Sequence, residues 1–435
     1  MLVYKFGGVS IKDANRIRSI LPLIKQKQSE PLVLVISALG KMTNAFELLL
    51  DLYRKNSAGK EAQLNLIKAY HIAILDKLFK KEDPIFKTID ECFAHLQGDL
   101  ALFANEDYDF AYDQLVTYGE LLSSKIISAF LLKEQISNTW ADASKLLITN
   151  DKYRDARLDW TKSHEMIRLK LKPVFQNVNV VVTQGFMAGN DSGKRTSLGR
   201  EGSDFSAAIL AHMLDAEALT VWKDVPGIRN ADPRLFSSAK ALPHISYHET
   251  VELAFYGASV IHPRSLQPLK LKRIPLYVRS FENPEKFTLI NGDNSDDKEN
   301  TSYIIRENQI LFSIASFDFS FIDAENLTAI LKLFSRYHFH IRLLQNSALN
   351  FSLVADENPL GLQALLDQLQ KKYSVKYNRN LSLLSVRHFK NEELNKLFRQ
   401  SKLLLEMHSR ITQQFVLNTE ELKALQEELE FYVCQ

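Results

Sequence analysis

The sequence predicts an α/β chain in which a parallel-rich central sheet lies between helices and is followed by a smaller region of βαββαβ order. Three observations carry that prediction. Short β-rich runs at 2–6 and 32–37 each lead through a turn into a helical pattern, as βαβ units do. A glycine- and serine-rich stretch follows the apolar run at 178–182 and ends at the mouth of another helix. After residue 306 the glycine-rich loops stop, and short strands alternate with amphipathic helices.

In chain order, Lys5 stands on the first strand directly before Gly7 and Gly8. From the strand end its ammonium would face the same point as the N–H groups of the glycine turn, a geometry suited to a polyphosphate. Residues 43–132 read as helix nearly throughout, with breaks such as Asp83-Pro84, and so as a helical layer beside the sheet. Strand signals return at 178–182, 218–222 and 275–278. Between the first two lie Thr183-Gln184-Gly185-Phe186 and Leu198-Gly199-Arg200-Glu201-Gly202-Ser203-Asp204, which set tight backbone, an arginine and an aspartate at a helix expected over 204–214, with Ser203 as its N-cap. Residues 291–300 are polar and read as an exposed linker. Then come a strand at 310–314, a helix at 326–337, strands at 341–344 and 350–354, a helix at 361–373 and a strand at 381–386. A shorter unit follows, with helices near 392–397 and 420–429 around strands at 403–407 and 414–417, as in a weak internal repeat.

The bulk numbers narrow the function. With 435 residues, 46% apolar and 24% charged, the chain suits two or three domains with a sizeable core. Fifty-four basic against 52 acidic residues give a net charge of +2 and no basic stripe, which argues against nucleic acid. Charges are expected to interrupt every apolar run before the roughly 18 residues a membrane span needs. No leader pattern opens the chain, and Cys92 and Cys434 offer no disulfide framework, so a cytoplasmic protein is expected.

Several motifs recur together in a known order: Lys5-Phe6-Gly7-Gly8-Val9-Ser10, Val35-Ile36-Ser37-Ala38, Tyr118-Gly119-Glu120-Leu121-Leu122-Ser123-Ser124, the 183–204 segment, Trp222-Lys223-Asp224-Val225-Pro226-Gly227-Ile228, Ala231-Asp232-Pro233-Arg234 and Gly257-Ala258-Ser259-Val260-Ile261-His262-Pro263. On these the chain resembles the aspartate kinases of the amino acid kinase family over residues 1–290. After a linker at 291–306, the remainder resembles ferredoxin-like ACT domains, one at 307–390 and a short one at 391–435 that is interleaved with the first or follows it. The resemblance implies transfer of the ATP γ-phosphoryl group to the β-carboxylate of L-aspartate, on the way to lysine, threonine and methionine. It implies Mg²⁺ held through the ATP phosphates with no ligand from the protein. Lys5 and Asp204 become the catalytic pair, Lys5 at the transferring group and Asp204 orienting it. Ser37, Thr43, Glu120, Phe186, Arg200 and Ser203 fall on the amino acid side, where Arg200 would fork the α-carboxylate and Glu120 take the α-ammonium. Gly7, Gly8, Ser10, Lys223, Asp224, Arg234 and Ser259, with Lys5, fall on the nucleotide side. His262 reads as a structural histidine at a helix start. The ACT region implies at least a homodimer and an amino acid effector, and the chain is expected to carry no fused homoserine dehydrogenase.

Four positions depart from the family pattern: Val9 and Lys223 where threonine is common, Glu201 where glycine is common, and Ser259 where lysine is usual. Arg342 stands where lysine-sensitive relatives carry an acid, leaving Asp323, Asn326, Gln345, Asn346 and Ser347 as polar groups for an effector. Two alternatives stay open: a kinase of this fold for another carboxylate, and a degenerate sensor of amino acids.

Overall fold

The computed structural model describes residues 1–199, 201–258, 261–318, 320–389, 397–398 and 401–434. They form two compact units. The first comprises Met1–Ile228, Leu242–Val251 and Val260–Asn294, and the second Arg229–Ala241, Glu252–Ser259 and Ser295–Gln435.

The first unit is built on an eight-stranded sheet in the order His244–Ser246, Phe287–Asn291, Leu276–Ser280, Ala218–Lys223, Leu2–Phe6, Leu32–Ile36, Val180–Gln184, Asn138–Trp140. All pairs are parallel except that of Leu276–Ser280 with Phe287–Asn291. Leu32–Ile36 and Val180–Gln184 are buried along their whole length, as strands covered on both faces must be. The register sets Phe6 beside Ile36 and Trp222, and Ile36 beside Gln184. Four strands therefore end at one edge, and their loops, Gly7-Gly8, Ser37-Ala38, Gly185-Phe186 and Asp224, leave from it. In open α/β sheets that carboxyl edge is where ligands bind.

The helical layer runs through Met42–Arg54, Lys60–Leu78, Ile85–Phe103, Tyr108–Val116 and Tyr118–Lys133. The stretch Tyr108–Lys133 is long and apolar enough to cross a membrane by length and composition alone, yet 78% of its apolar window is buried inside the protein. Between Asp113 and Lys133 only Glu120 and Lys125 are charged, because this helix is central to the core and packs Leu122, Ile126, Ile127 and Phe130 into it.

In the second unit a six-stranded antiparallel sheet has the order Ile341–Asn346, Asn350–Asp356, Ser302–Ser316, Tyr373–Arg387, Thr412–Asn418, Leu405–His408. With helices Ala324–Arg336 and Pro359–Leu369 it has the βαββαβ order expected. Boundaries differ instructively. The strand expected at 310–314 is Ser302–Ser316, so the sheet begins inside the expected linker, where Tyr303 and Ile304 are buried. The helix expected to reach 373 stops at Leu369, and Tyr373 already opens the strand Tyr373–Arg387. These two 15-residue strands pair along their length and serve both halves of the sheet. The helix expected at 392–397 lies outside the described residues but for Leu397, while that expected at 420–429 is two helices, Thr419–Ala424 and Gln426–Cys434. Two stretches assigned by sequence to the first domain pack in this unit. Phe236 joins Tyr303, Leu384 and Phe415 in its core, and the fully buried Arg387 pairs with Glu252 at 2.9 Å.

Candidate active site

Lys5 lies one residue before the end of Leu2–Phe6, and its Nζ is 2.6 Å from Asp204 Oδ1, both side chains nearly buried. Burial alone pushes the Asp204 carboxyl up, but Lys5 and Lys223 outweigh it and hold the group below its usual range. The chain then enters the short 3₁₀ turn Gly8–Ile11. A Cβ on Gly8 would sit 2.6 Å from the carbonyl oxygens of both Ala38 and Gly40, so only glycine permits this close approach of the two loops. Ser10 is buried, and its hydroxyl donates to the Trp222 carbonyl at 3.1 Å.

Asp204 is placed by a helix that starts earlier than expected. The helix is Gly202–Met213, and its N-cap is Glu201 in the left-handed region at φ 55°, so Ser203 is not the cap. Ser203 sits in the first turn instead and donates its hydroxyl to Glu120 Oε1 at 2.6 Å. The other carboxylate oxygen of Glu120 accepts from the Phe186 N–H at 2.7 Å. Glu120 is only 2% exposed, and burial pushes its carboxyl up to about 7 against the pull of those donors. A Cβ on Gly185 would lie 2.5 Å from Ser203 Cβ, so the 185–186 turn is seated directly on the helix start.

Around Glu120 opens a cavity of about 420 Å³, lined by the expected residues Gly8, Ser37, Thr43, Phe186 and Ser203. Tyr112, Arg154, Ser197 and Glu201 line it as well. Sequence reasoning did not put Tyr112, Arg154 and Ser197 at the site. Behind them Asp113, fully buried, accepts from the Arg154 N–H at 2.9 Å, the Ser197 N–H at 2.8 Å and the Ser197 hydroxyl at 2.5 Å. Burial pushes its carboxyl up to about 6 even so.

The expected nucleotide-side residues are more dispersed. Lys223 ends its strand where its charge reaches Asp204, and Asp224 follows it, exposed. Arg234 belongs to the second unit, where it is exposed and forks Asp232 at 2.6 to 3.1 Å. Arg200 and Ser259 lie outside the described residues. His262 caps Pro263–Lys272, its Nδ1 accepting from the Arg264 N–H at 3.2 Å. Among the described residues no group of three or more His, Cys, Asp or Glu is placed to hold a metal.

Residues 1–280 match the model of the amino acid kinase family. The chain is 29% identical over 395 residues to the lysine-sensitive aspartokinase 3 of Escherichia coli, covering 89% of this chain and 86% of that protein. Its fold matches E. coli aspartokinase III in complex with lysine and aspartate, with a TM-score of 0.84, 26% identity and full coverage of both chains. Against the same enzyme in complex with aspartate and ADP the TM-score is 0.80 at 25% identity, over 99% of this chain and all of that one. With 280 of 435 residues matched and the Lys5–Asp204 pair at the carboxyl edge of its sheet, this chain belongs to the amino acid kinase family.

Proposed function

We propose that the protein is an aspartate kinase, transferring the γ-phosphoryl group of ATP to the β-carboxylate of L-aspartate to give 4-phospho-L-aspartate. The observation that carries the reading is the buried Lys5–Asp204 ion pair beside a cavity floored by Glu120. A carboxylate acceptor is ionised at neutral pH and needs no general base. The difficulty is to bring two anions together. Like unit charges about 4 Å apart repel by roughly 4 kcal/mol at an effective dielectric near 20. Lys5 offsets that repulsion from a fixed position, because Asp204 holds its ammonium in place before substrate arrives. The glycine turn leaves no side chain between the strand end and the phosphates.

On the acceptor side, Glu120 presents a buried carboxylate to the α-ammonium, and Ser37, Thr43 and Ser203 line the same cavity with hydroxyls. Arg200 takes the α-carboxylate. Lys223 and Asp224 serve the nucleotide from the end of their strand. Mg²⁺ enters on the ATP phosphates and neutralises part of their charge. The second unit holds the paired ACT domains and brings chains together as a homodimer or a larger assembly. The protein works in the cytoplasm, in the pathway to lysine, threonine and methionine.

ADP release measured with L-aspartate, L-glutamate and other carboxylic acids in turn tests the assignment. Release that depends on aspartate supports it. Release with a different acid only would make this a kinase for that acid, and none with any acid would leave a sensor.

A further inference from the structure

We infer that Tyr70 is a positioning residue for phosphoryl transfer, its hydroxyl clamping the glycine turn on the phosphate side to the loop 37–43 on the acceptor side. This role rests on the aspartate kinase reading and adds to it a residue outside the acceptor cavity. In-line transfer needs the reacting atoms held about 3 to 3.5 Å apart, so a contact that fixes the spacing of these two loops acts on the chemical step more than on the binding of either substrate. The loops meet directly. Gly40 donates its N–H to the Gly8 carbonyl at 2.9 Å, and Ser37 donates to the Phe6 carbonyl at 3.2 Å.

Tyr70 reaches that junction from the helix Lys60–Leu78. Its hydroxyl donates to the carbonyl of Lys12, which ends the 3₁₀ turn Gly8–Ile11. The same oxygen would lie 2.7 Å from a Cβ on Gly40, so it also closes over the acceptor loop. Gly40 holds φ 55°, and glycine is required there by the backbone angle and by the hydroxyl together. The ring is held from behind. It packs edge-on against His71 with centroids 5.7 Å apart, and the fully buried His71 is itself fixed by donating from Nδ1 to the Ile67 carbonyl at 2.8 Å and by contact with Phe93. Burial pushes the Tyr70 phenol up, and the charge of Asp13 pushes it further, so it keeps its proton and remains a donor at neutral pH.

Tyr70→Phe removes the hydroxyl and keeps the ring. With ATP and L-aspartate, kcat is expected to fall about fivefold or more while KM for each substrate stays within about twofold. Hydrogen exchange, followed by mass spectrometry over residues 7–12 and 37–43, is expected to speed up in both segments by roughly tenfold. Gly40→Ala drives the hydroxyl away from the other side and should lower kcat likewise, and adding Tyr70→Phe to it should cost less than about a further twofold, because both changes break one contact. A wild-type kcat in folded Tyr70→Phe, a KM shift larger than the kcat loss, unchanged exchange, or kcat losses that multiply in the double variant would each overturn the clamp and leave the kinase assignment standing. Should Tyr70→Phe fail to fold, Gly40→Ala decides by the same kcat and exchange readings. If wild type releases no ADP with aspartate, the kinase assignment fails by itself, and the positioning role fails with it. Exchange in Tyr70→Phe then still shows whether the hydroxyl joins the two loops.

Discussion

At Lys5 one side chain joins the strand, the glycine turn and Asp204, so its replacement separates chemistry from folding. Lys5→Met keeps the length of a nearly buried stem and removes the charge. Loss of a preorganised cation at the transferring group costs on the order of 3 kcal/mol, about a hundredfold in kcat. Wild-type turnover in a folded Lys5→Met protein would remove Lys5 from the mechanism. Glu120 gives a second prediction, read against pH. Its folded carboxyl lies near 7, above its ordinary value of 4.5, so the empty protein prefers it protonated. The stability it contributes is complete below about pH 4.5 and is lost as pH rises through about 7, an effect of roughly 3 kcal/mol. Binding of an ammonium runs the other way, because it needs the carboxylate. KM for aspartate should therefore fall about tenfold between pH 6 and pH 8. Glu120→Gln should flatten that profile at a high KM, and an unchanged profile in this variant would assign the titration elsewhere, Asp113 being the nearest candidate. The site was legible where neighbours in sequence are neighbours in space, as at Lys5 to Gly8 and at Gly185-Phe186. Arg154 and Ser197 lie far from Tyr112 in sequence and are held by Asp113, its neighbour on the helix Tyr108–Val116, a contact no local pattern announces.

Among elements, the helix Gly202–Met213 shows how one backbone angle redirects a site. The sequence places Ser203 at the cap because serine caps well. The chain turns instead at Glu201 with φ 55°, which frees the Ser203 hydroxyl for Glu120 and keeps Asp204 in the first turn, where the helix dipole favours a negative charge. The departure from glycine at 201 was visible in the sequence, but its consequence was not, since the left-handed turn is set by the loops on either side. Glu201→Gly should relieve about 1 kcal/mol of backbone strain, partly offset by the greater freedom glycine gives the unfolded chain. Urea unfolding should show a net gain of about 0.5 kcal/mol, and a loss would mean that the Glu201 side chain makes a compensating contact. Strand and helix order in the second unit was likewise legible from alternating apolar runs. The lengths of Ser302–Ser316 and Tyr373–Arg387 were not, because their middles carry the polar residues Arg306, Glu307, Asn308, Asn378, Arg379 and Asn380, whose pairing is shaped by register shifts near 306–311.

For the whole molecule, the division of labour between units turns on whether the second one senses lysine. E. coli aspartokinase III has been crystallised with lysine and aspartate, and the curated relative is lysine-sensitive. Here the acid expected in lysine-sensitive relatives is replaced by Arg342, on the strand Ile341–Asn346. Arg342 forks Asp356, its Nε at 2.9 Å from Oδ1, and Asp356 also accepts from Gln309 at 3.0 Å. Asp323, the other candidate acid, caps Ala324–Arg336 and accepts from the Asn326 N–H at 2.8 Å. Both carboxylates are thus committed within the unit, and a lysine ammonium arriving there meets a guanidinium, a charge reversal that disfavours it. Lysine should therefore inhibit aspartate-dependent ADP release weakly, with half-inhibition above about 1 mM, the concentration that corresponds to roughly −4 kcal/mol of binding. Arg342→Ala releases Asp356 and should lower that concentration several-fold, while threonine inhibition stays unchanged. Sub-millimolar inhibition of the wild-type protein by lysine would refute this account of the effector site. Sedimentation of the same preparations reads the assembly: a monomer at all concentrations would leave the second unit without its proposed pairing role and confine any effect of Arg342→Ala to a single chain.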